Sequence, residues 1–128
     1  MGRTLASALP DNCALALSGN LGTGKTTLVK GLAEGLGITN AVTSPTYTIY
    51  SLYSGTRQLL HMDAYRLHDA SQLEALALED FLRPPFLVAV EWPENIPPFF
   101  DEFPTFRLQL KILPDLQHHL TLSAPPKV

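Results

Sequence analysis

The stretch Gly19-Asn20-Leu21-Gly22-Thr23-Gly24-Lys25-Thr26 carries the spacing G-x-x-x-x-G-K-[ST] in full. Glycines at these intervals let the backbone wrap tightly, so that its N–H groups point inward at phosphate oxygens. A helix following such a loop adds the partial positive charge of its N-terminus. Lys25 is placed to reach the β- and γ-phosphates of a nucleoside triphosphate, and the Thr26 hydroxyl to ligate Mg²⁺. With Thr27, residues 19–27 form the expected phosphate cradle. A chance glycine-rich turn is the plain alternative. The context opposes it, because an apolar run precedes the motif and an amphipathic pattern follows. No Asn-Lys-x-Asp or Thr-Lys-x-Asp guanine-reading sequence is present, and no Asp-x-x-Gly follows the loop. The expected nucleotide is therefore ATP rather than GTP.

Such a site needs a carboxylate at the end of a neighbouring strand to hold the metal or its water shell. Asp63 ends Leu59-Leu60-His61-Met62, and Glu91 ends Phe86-Leu87-Val88-Ala89-Val90. Either alone reads equally well as a solvated strand terminus. Two of them, each after an apolar strand, make a pair worth assigning. The expectation puts Asp63 on the metal side and Glu91 on the water-polarising side, with both counted beside Thr26 as candidate metal ligands. Thr43-Ser44-Pro45-Thr46 follows the motif's helix, and a hydroxyl-rich loop there is able to fold over the γ-phosphate, Thr43 foremost. An ordinary Ser-Pro turn is the alternative. His61 reads as a proton carrier or as a strand histidine paired to a neighbour. Trp92 reads as a stacking surface for a base or a partner, or as a core residue. Arg66 faces a phosphate, a partner or a surface carboxylate. His118-His119 reads as part of a terminal turn, with no third ligand nearby to make a metal site.

The elements that must position these groups are legible. Residues 13–17 form a continuous apolar run, which fits a strand covered on both faces. Over 25–36, Leu28, Val29, Leu32, Ala33 and Leu36 share one helical stripe, with Gly37 as C-cap. Gly31 and Gly35 lie one turn apart on another face, where close packing against a neighbour would account for them. Residues 46–53 and 57–63 read as strands around the turn Ser54-Gly55-Thr56. Leu60 and Met62 face one way, and Leu59, His61 and Asp63 the other. Ser71-Gln72-Leu73-Glu74 is a capping box for a helix whose apolar face includes Leu73, Leu76, Ala77 and Phe81, ending before Pro84-Pro85. A second buried strand covers 86–90. Residues 106–112 alternate as a half-exposed strand, and Leu120, Leu122 and Ala124 alternate after a turn near Pro114-Asp115. The fold class is α/β: a three-layer sandwich, as in P-loop nucleotide-binding proteins, whose central sheet mixes parallel core strands with an antiparallel periphery.

The chain has 128 residues, is 45% hydrophobic and carries net charge −3 from 9 basic and 12 acidic side chains. That length fits a single domain over 1–128. Its basic residues are scattered, so the chain is not built to coat nucleic acid unaided. The sole cysteine, Cys13, sits among apolar neighbours and reads as a small buried hydrophobe in a reducing compartment. No apolar run approaches a membrane helix and no signal peptide is evident, so the expected location is the cytosol.

Four blocks together resemble the TsaE (YjeE) family of small ATPases of bacterial tRNA threonylcarbamoyladenosine synthesis. They are residues 18–27, then Val42-Thr43-Ser44-Pro45-Thr46-Tyr47-Thr48, then His61-Met62-Asp63-Ala64-Tyr65-Arg66-Leu67, then Val90-Glu91-Trp92-Pro93-Glu94. The first block is shared by many P-loop proteins; the other three, in this order in so short a chain, are specific. The resemblance implies ATP and Mg²⁺ as ligands and slow hydrolysis serving a complex with TsaB and TsaD, which carry the transfer to the adenosine next to the anticodon and through which tRNA is met. It implies nucleotide, metal or hydrolytic roles for Lys25, Thr26, Asp63 and Glu91, a sensitive position at Trp92, and a nucleotide-side loop at 43–46. The chain departs from the family at Asn20, where an aspartate is common, at Met62 and Ala64, and in a short segment before Cys13.

Two other functions fit a phosphate loop. A P-loop small-molecule kinase needs an acceptor site and clamping arginines. Beyond the loop's helix the chain offers only Arg57, Arg66, Arg83 and Arg107, widely dispersed. A nucleotide-binding scaffold needs no catalytic carboxylate, and Glu91 speaks against it. With no arginine placed as an obvious finger, the site is expected to be completed by a partner and weak in isolation.

Overall fold

A computed structural model describes residues 6, 8–19, 25–39, 50–65, 67, 80–112 and 118–123, with the backbone alone at 25–27, 102, 110–112 and 118–123. The expectations for residues 20–24, the loop 43–46, Arg66, the capping box at 71–74 and the turn near Pro114-Asp115 lie outside the described residues.

The chain order is β1 (Cys13–Ser18), α1 (Lys25–Gly35), β2 (Tyr50–Tyr53), β3 (Gln58–Asp63), β4 (Phe86–Glu91), short 3-10 segments at Pro93–Asn95 and Pro97–Glu102, β5 (Thr105–Ile112) and β6 (His118–Ser123). The strands form one six-stranded sheet in the order β2-β3-β4-β1-β5-β6. The inner pairs β3–β4, β4–β1 and β1–β5 are parallel, while β2 and β6 join the edges antiparallel. This is the mixed α/β sheet expected. β1 and β4 occupy the centre because their unbroken apolar runs demand cover on both faces, and every residue of β4 is buried.

Strand alternation divides the core in two. Cys13, Leu15, Leu17, Leu59, Leu87, Ala89 and Leu108 point to one face, where the stripe Leu28, Val29, Leu32, Ala33 and Leu36 of α1 covers them. Ala14, Ala16, Leu60, Met62, Val88 and Val90 point to the other, against Leu67, Ile96 and Phe100. The segment before Cys13 is tied to the α1 side: Ala6 and Leu9 are buried there. The Arg57 guanidinium donates to the carbonyls of Leu9 and Pro10 at 3.0 Å each, and to that of Ala6. Asn12, at φ 60, holds the start of β1 to β4: its N–H donates to the Phe86 carbonyl and its Oδ1 accepts from the Phe86 N–H.

α1 runs back from the far end of β1 to the N-terminal end of β3. There the Leu36 carbonyl, left over at the helix C-terminus, accepts from the Thr56 N–H at 2.6 Å and the Thr56 hydroxyl at 3.1 Å. The hairpin turn thus caps the helix.

Four local expectations need correction. Gly35 is exposed and Gly31 only half-buried, so close packing does not account for Gly35. Phe81 lies in a turn rather than on a helix and is 45% exposed, with its ring 6.3 Å from Tyr50. His118 and His119 belong to β6, paired with Ile112 and Lys111, because the backbone ladder is indifferent to a polar side chain at an edge. The strand expected from residue 57 begins at Gln58, since Arg57 turns back to the segment before β1.

Cys13 is fully buried, and burial pushes its thiol up to about 11. The thiolate is the reactive form. Cys13 is therefore expected to resist alkylation by iodoacetamide at neutral pH and to react on unfolding. Rapid labelling of the folded chain, followed by mass spectrometry, would contradict this packing.

No helix among the described residues is long and apolar enough to cross a membrane.

Candidate functional site

The C-terminal ends of the parallel strands are where an α/β sheet binds ligands, because loops and helix N-termini converge there. β1 leaves this edge through Gly19 at φ 142, a conformation that side chains disfavour, so the first glycine of the motif is required by the backbone. α1 starts at Lys25, so the intervening loop joins the strand end directly to the helix N-terminus.

Both candidate carboxylates stand at the same edge. Asp63 and Glu91 are register partners at the ends of β3 and β4, and Glu91 is also the register partner of Leu17 in β1. By alternation both side chains lie on the face that α1 covers, two positions beyond the buried His61–Ala89 row. The phosphate-loop strand and the two carboxylates are thus consecutive neighbours.

The two acids differ. Asp63 is half-buried, and its Oδ1 accepts from the Tyr65 N–H at 3.0 Å, an Asx-type turn that fixes the carboxylate at the strand end. Glu91 is 5% exposed and is not a solvated strand terminus. Its Oε2 lies 2.7 Å from His61 Nε2, and His61 is wholly buried. Of the two readings of His61, the paired strand histidine is the geometry found. Among the described residues Nδ1 of His61 has no partner, so a ring that donates through Nε2 and leaves Nδ1 as a lone pair strands no N–H.

Trp92 follows Glu91 in a left-handed conformation, φ 59 and ψ 50. A bulky residue there is an outlier of the kind found where a fold must aim a particular group. Its half-buried ring packs on the core of the second face and lies 5.1 Å from Tyr65, which is 60% exposed. Trp92 is therefore not a fully buried core residue. Asn95 links the two strand ends by donating to the Ala64 carbonyl at 2.9 Å, while the Ala64 N–H donates to the Glu91 carbonyl. Tyr65 and Asn95 were not singled out by the sequence. No spacing signals Asn95, because its partner lies 31 residues away.

Among the described residues no group of three or more His, Cys, Asp and Glu side chains forms a metal cage. The described arginines serve elsewhere. Arg57 and Arg83 bind carbonyls near the opposite edge, and Arg107 lies 5.5 Å over the Phe100 ring on the other face. The dispersed set needed for a kinase clamp is reduced accordingly.

Fold and site together define a P-loop α/β protein: a parallel core, a G-x-x-x-x-G-K-[ST] loop leaving the central strand for a helix, and acids at the adjoining strand ends. The family model for "Threonylcarbamoyl adenosine biosynthesis protein TsaE" matches residues 1–120, and the chain belongs to that family. Relatives named tRNA threonylcarbamoyladenosine biosynthesis protein TsaE include one from Bacillus subtilis, 46% identical over 110 residues, covering 85% of this chain and 66% of the relative. One from Synechocystis is 45% identical, covering 75% and 64%. One from Treponema pallidum is 33% identical, covering 95% and 90%. The match thus spans just under two thirds of the first two relatives and most of the third. The crystal structure of Bacillus subtilis YdiB superposes with a TM-score of 0.73 at 32% identity, over 98% of this chain and 77% of that one.

Proposed function

We propose that this chain binds ATP with Mg²⁺ at residues 19–27 and hydrolyses it in support of tRNA threonylcarbamoyladenosine formation, acting in the cytoplasm with TsaB and TsaD. The observation that carries the reading is the register Leu17–Glu91–Asp63, which sets two acids beside the strand that feeds the phosphate loop. The relatives' shared name supplies the process.

Backbone N–H groups of Gly19, Asn20, Leu21, Gly22, Thr23 and Gly24 cradle the phosphates, and Lys25 neutralises the β- and γ-oxygens. The Thr26 hydroxyl and Asp63 hold the metal or its water shell, with Glu91 next to it, and Thr27 and Thr43 border the phosphates. When bound, Mg²⁺ supplies positive charge against the phosphate oxygens. Glu91 orients and polarises the attacking water, since a carboxylate fixed by a buried partner is held ready to accept a proton. Trp92, held beside it by its backbone conformation, shields this edge from bulk water. The net −3 charge leaves the RNA surface to the partners.

Lys25→Ala is expected to weaken binding of a fluorescent ATP analogue by at least about tenfold and to abolish phosphate release. In a modification assay with TsaB, TsaD, tRNA and an activated threonylcarbamoyl donor, it is expected to stop repeated modification. Unchanged turnover with Lys25→Ala, or with the chain omitted, would remove both the site and the role.

A further inference from the structure

We propose that His61 is a positioning residue for Glu91: its Nε2–H holds one carboxylate oxygen, so that the other is presented in a single orientation to the water at the C-terminal edge of the sheet. This rests on the role given to Glu91 above.

The contact is a diagonal one. His61 is the register partner of Ala89, and Glu91 lies two residues further along the same strand and on the same face. Across this diagonal Nε2 and Oε2 meet at 2.7 Å. Hydrogen bonds to an ionised acceptor are short and strong, which suits a group meant to be held still. The exposure of the pair is one-sided. The His61 side chain is 0% exposed and that of Glu91 7%, so the part of the pair that solvent reaches belongs to the carboxylate.

Stability does not account for the histidine. Its neighbours along the face, Leu59 and Ala89, are apolar and fully buried. Buried polar atoms are almost always paired, yet Nδ1 has no partner among the described residues. An apolar side chain of similar volume would fill the position without that cost. Among the described residues the imidazole is bonded only through the nitrogen that faces Glu91, so its hydrogen bonding serves the acid. Imidazoles and carboxylates that orient a reacting group from behind follow the same logic.

The test uses the full chain with Mg²⁺ and ATP. His61→Leu keeps the volume and removes the donor. His61→Gln carries an amide nitrogen close to the position of Nε2. Turnover is read from single-turnover phosphate release, affinity from a fluorescent ATP analogue, folding from thermal unfolding, and the ring from long-range ¹H–¹⁵N spectra. His61→Leu is expected to lower turnover about 10- to 100-fold with affinity within about twofold, and His61→Gln to recover to within about threefold of wild type. In a Glu91→Gln background, His61→Leu is expected to add no further loss. The ring spectrum is expected to show the Nε2–H form and to shift in Glu91→Gln.

Equal losses in the Leu and Gln variants, or full additivity with Glu91→Gln, would overturn the assignment even with ATP bound and hydrolysed normally by the wild type. A His61→Leu chain that does not fold transfers the decision to His61→Gln against the double variant Glu91→Gln/His61→Leu, which buries no unpaired charge. A wild-type chain that neither binds nor hydrolyses ATP overturns the functional reading itself, and this assignment with it.

Discussion

Glu91→Gln is expected to slow ATP hydrolysis by about 100- to 1,000-fold while leaving nucleotide affinity within about threefold. The change is nearly isosteric. The amide oxygen of glutamine still accepts from His61 Nε2, so the buried hydrogen bond survives and the sheet is undisturbed. What disappears is the negative charge and the ability to take a proton from water. An interaction made mainly in the transition state lowers turnover without weakening the ground-state complex. Glu91→Ala makes the contrast. It leaves the wholly buried His61 ring with both nitrogens unpaired and opens a gap at the end of a strand buried along its whole length. That variant is expected to lose about 2–4 kcal/mol of stability as well as activity. Steady-state phosphate release, analogue titration and thermal unfolding on the two variants separate the chemical role from the structural one. A Glu91→Gln protein hydrolysing at the wild-type rate would show that the acid is only part of the packing.

Much of this site could be read from residue order because its parts are local. A glycine-rich loop between an apolar run and an amphipathic stripe needs no tertiary information, and the stripe Leu28, Val29, Leu32, Ala33 and Leu36 is buried as its period requires. β1 and β4 were legible for a similar reason: an unbroken apolar run is stable only in the middle of a covered sheet. Asp63 and Glu91 were legible as strand ends. Their being register partners was not, since register between strands so far apart is decided by packing and not by either segment. The same holds for His61. Alternation puts it on the face of Leu59, but its partner comes from 30 residues away, and only the fold brings the two together. The placement of Trp92 was not legible, because it follows from a left-handed backbone that nothing in its neighbours announces. The errors at Phe81 and His118-His119 differ in origin. Apolar periodicity was extended past the point where the chain turns, and polar residues at the start of an edge strand were taken for a turn.

The other large effect is on stability and falls at the opposite end of α1. Gly55→Ala is expected to cost about 3 kcal/mol and to lower the melting temperature by about 10 °C. A Cβ on Gly55 would lie 2.2 Å from the Leu36 carbonyl oxygen and 2.8 Å from Ile38 Cγ1. The first of these is backbone at the end of a helix and cannot swing aside. The hairpin turn would have to lift away, and with it go the two hydrogen bonds from Thr56 to the Leu36 carbonyl. That carbonyl would then lose its described partners at a buried residue. Gly37→Ala is the calibrating variant. Gly37 has φ +73, where a side chain is strained, but its Cβ would meet only Thr56 Cγ2 at 3.6 Å, an ordinary contact. Its cost is the conformational one alone, about 1–2 kcal/mol. Urea unfolding of both variants with a common slope measures the difference. If Gly55→Ala costs no more than Gly37→Ala, the turn does not clamp the helix. If it costs more, α1 is anchored at its C-terminus by the β2–β3 hairpin, and the helix N-terminus, proposed above to bind phosphate, is held in place from the helix's other end. Loosening that anchor is then expected to weaken nucleotide affinity as well, an effect that Gly37→Ala shares only in proportion to its smaller cost.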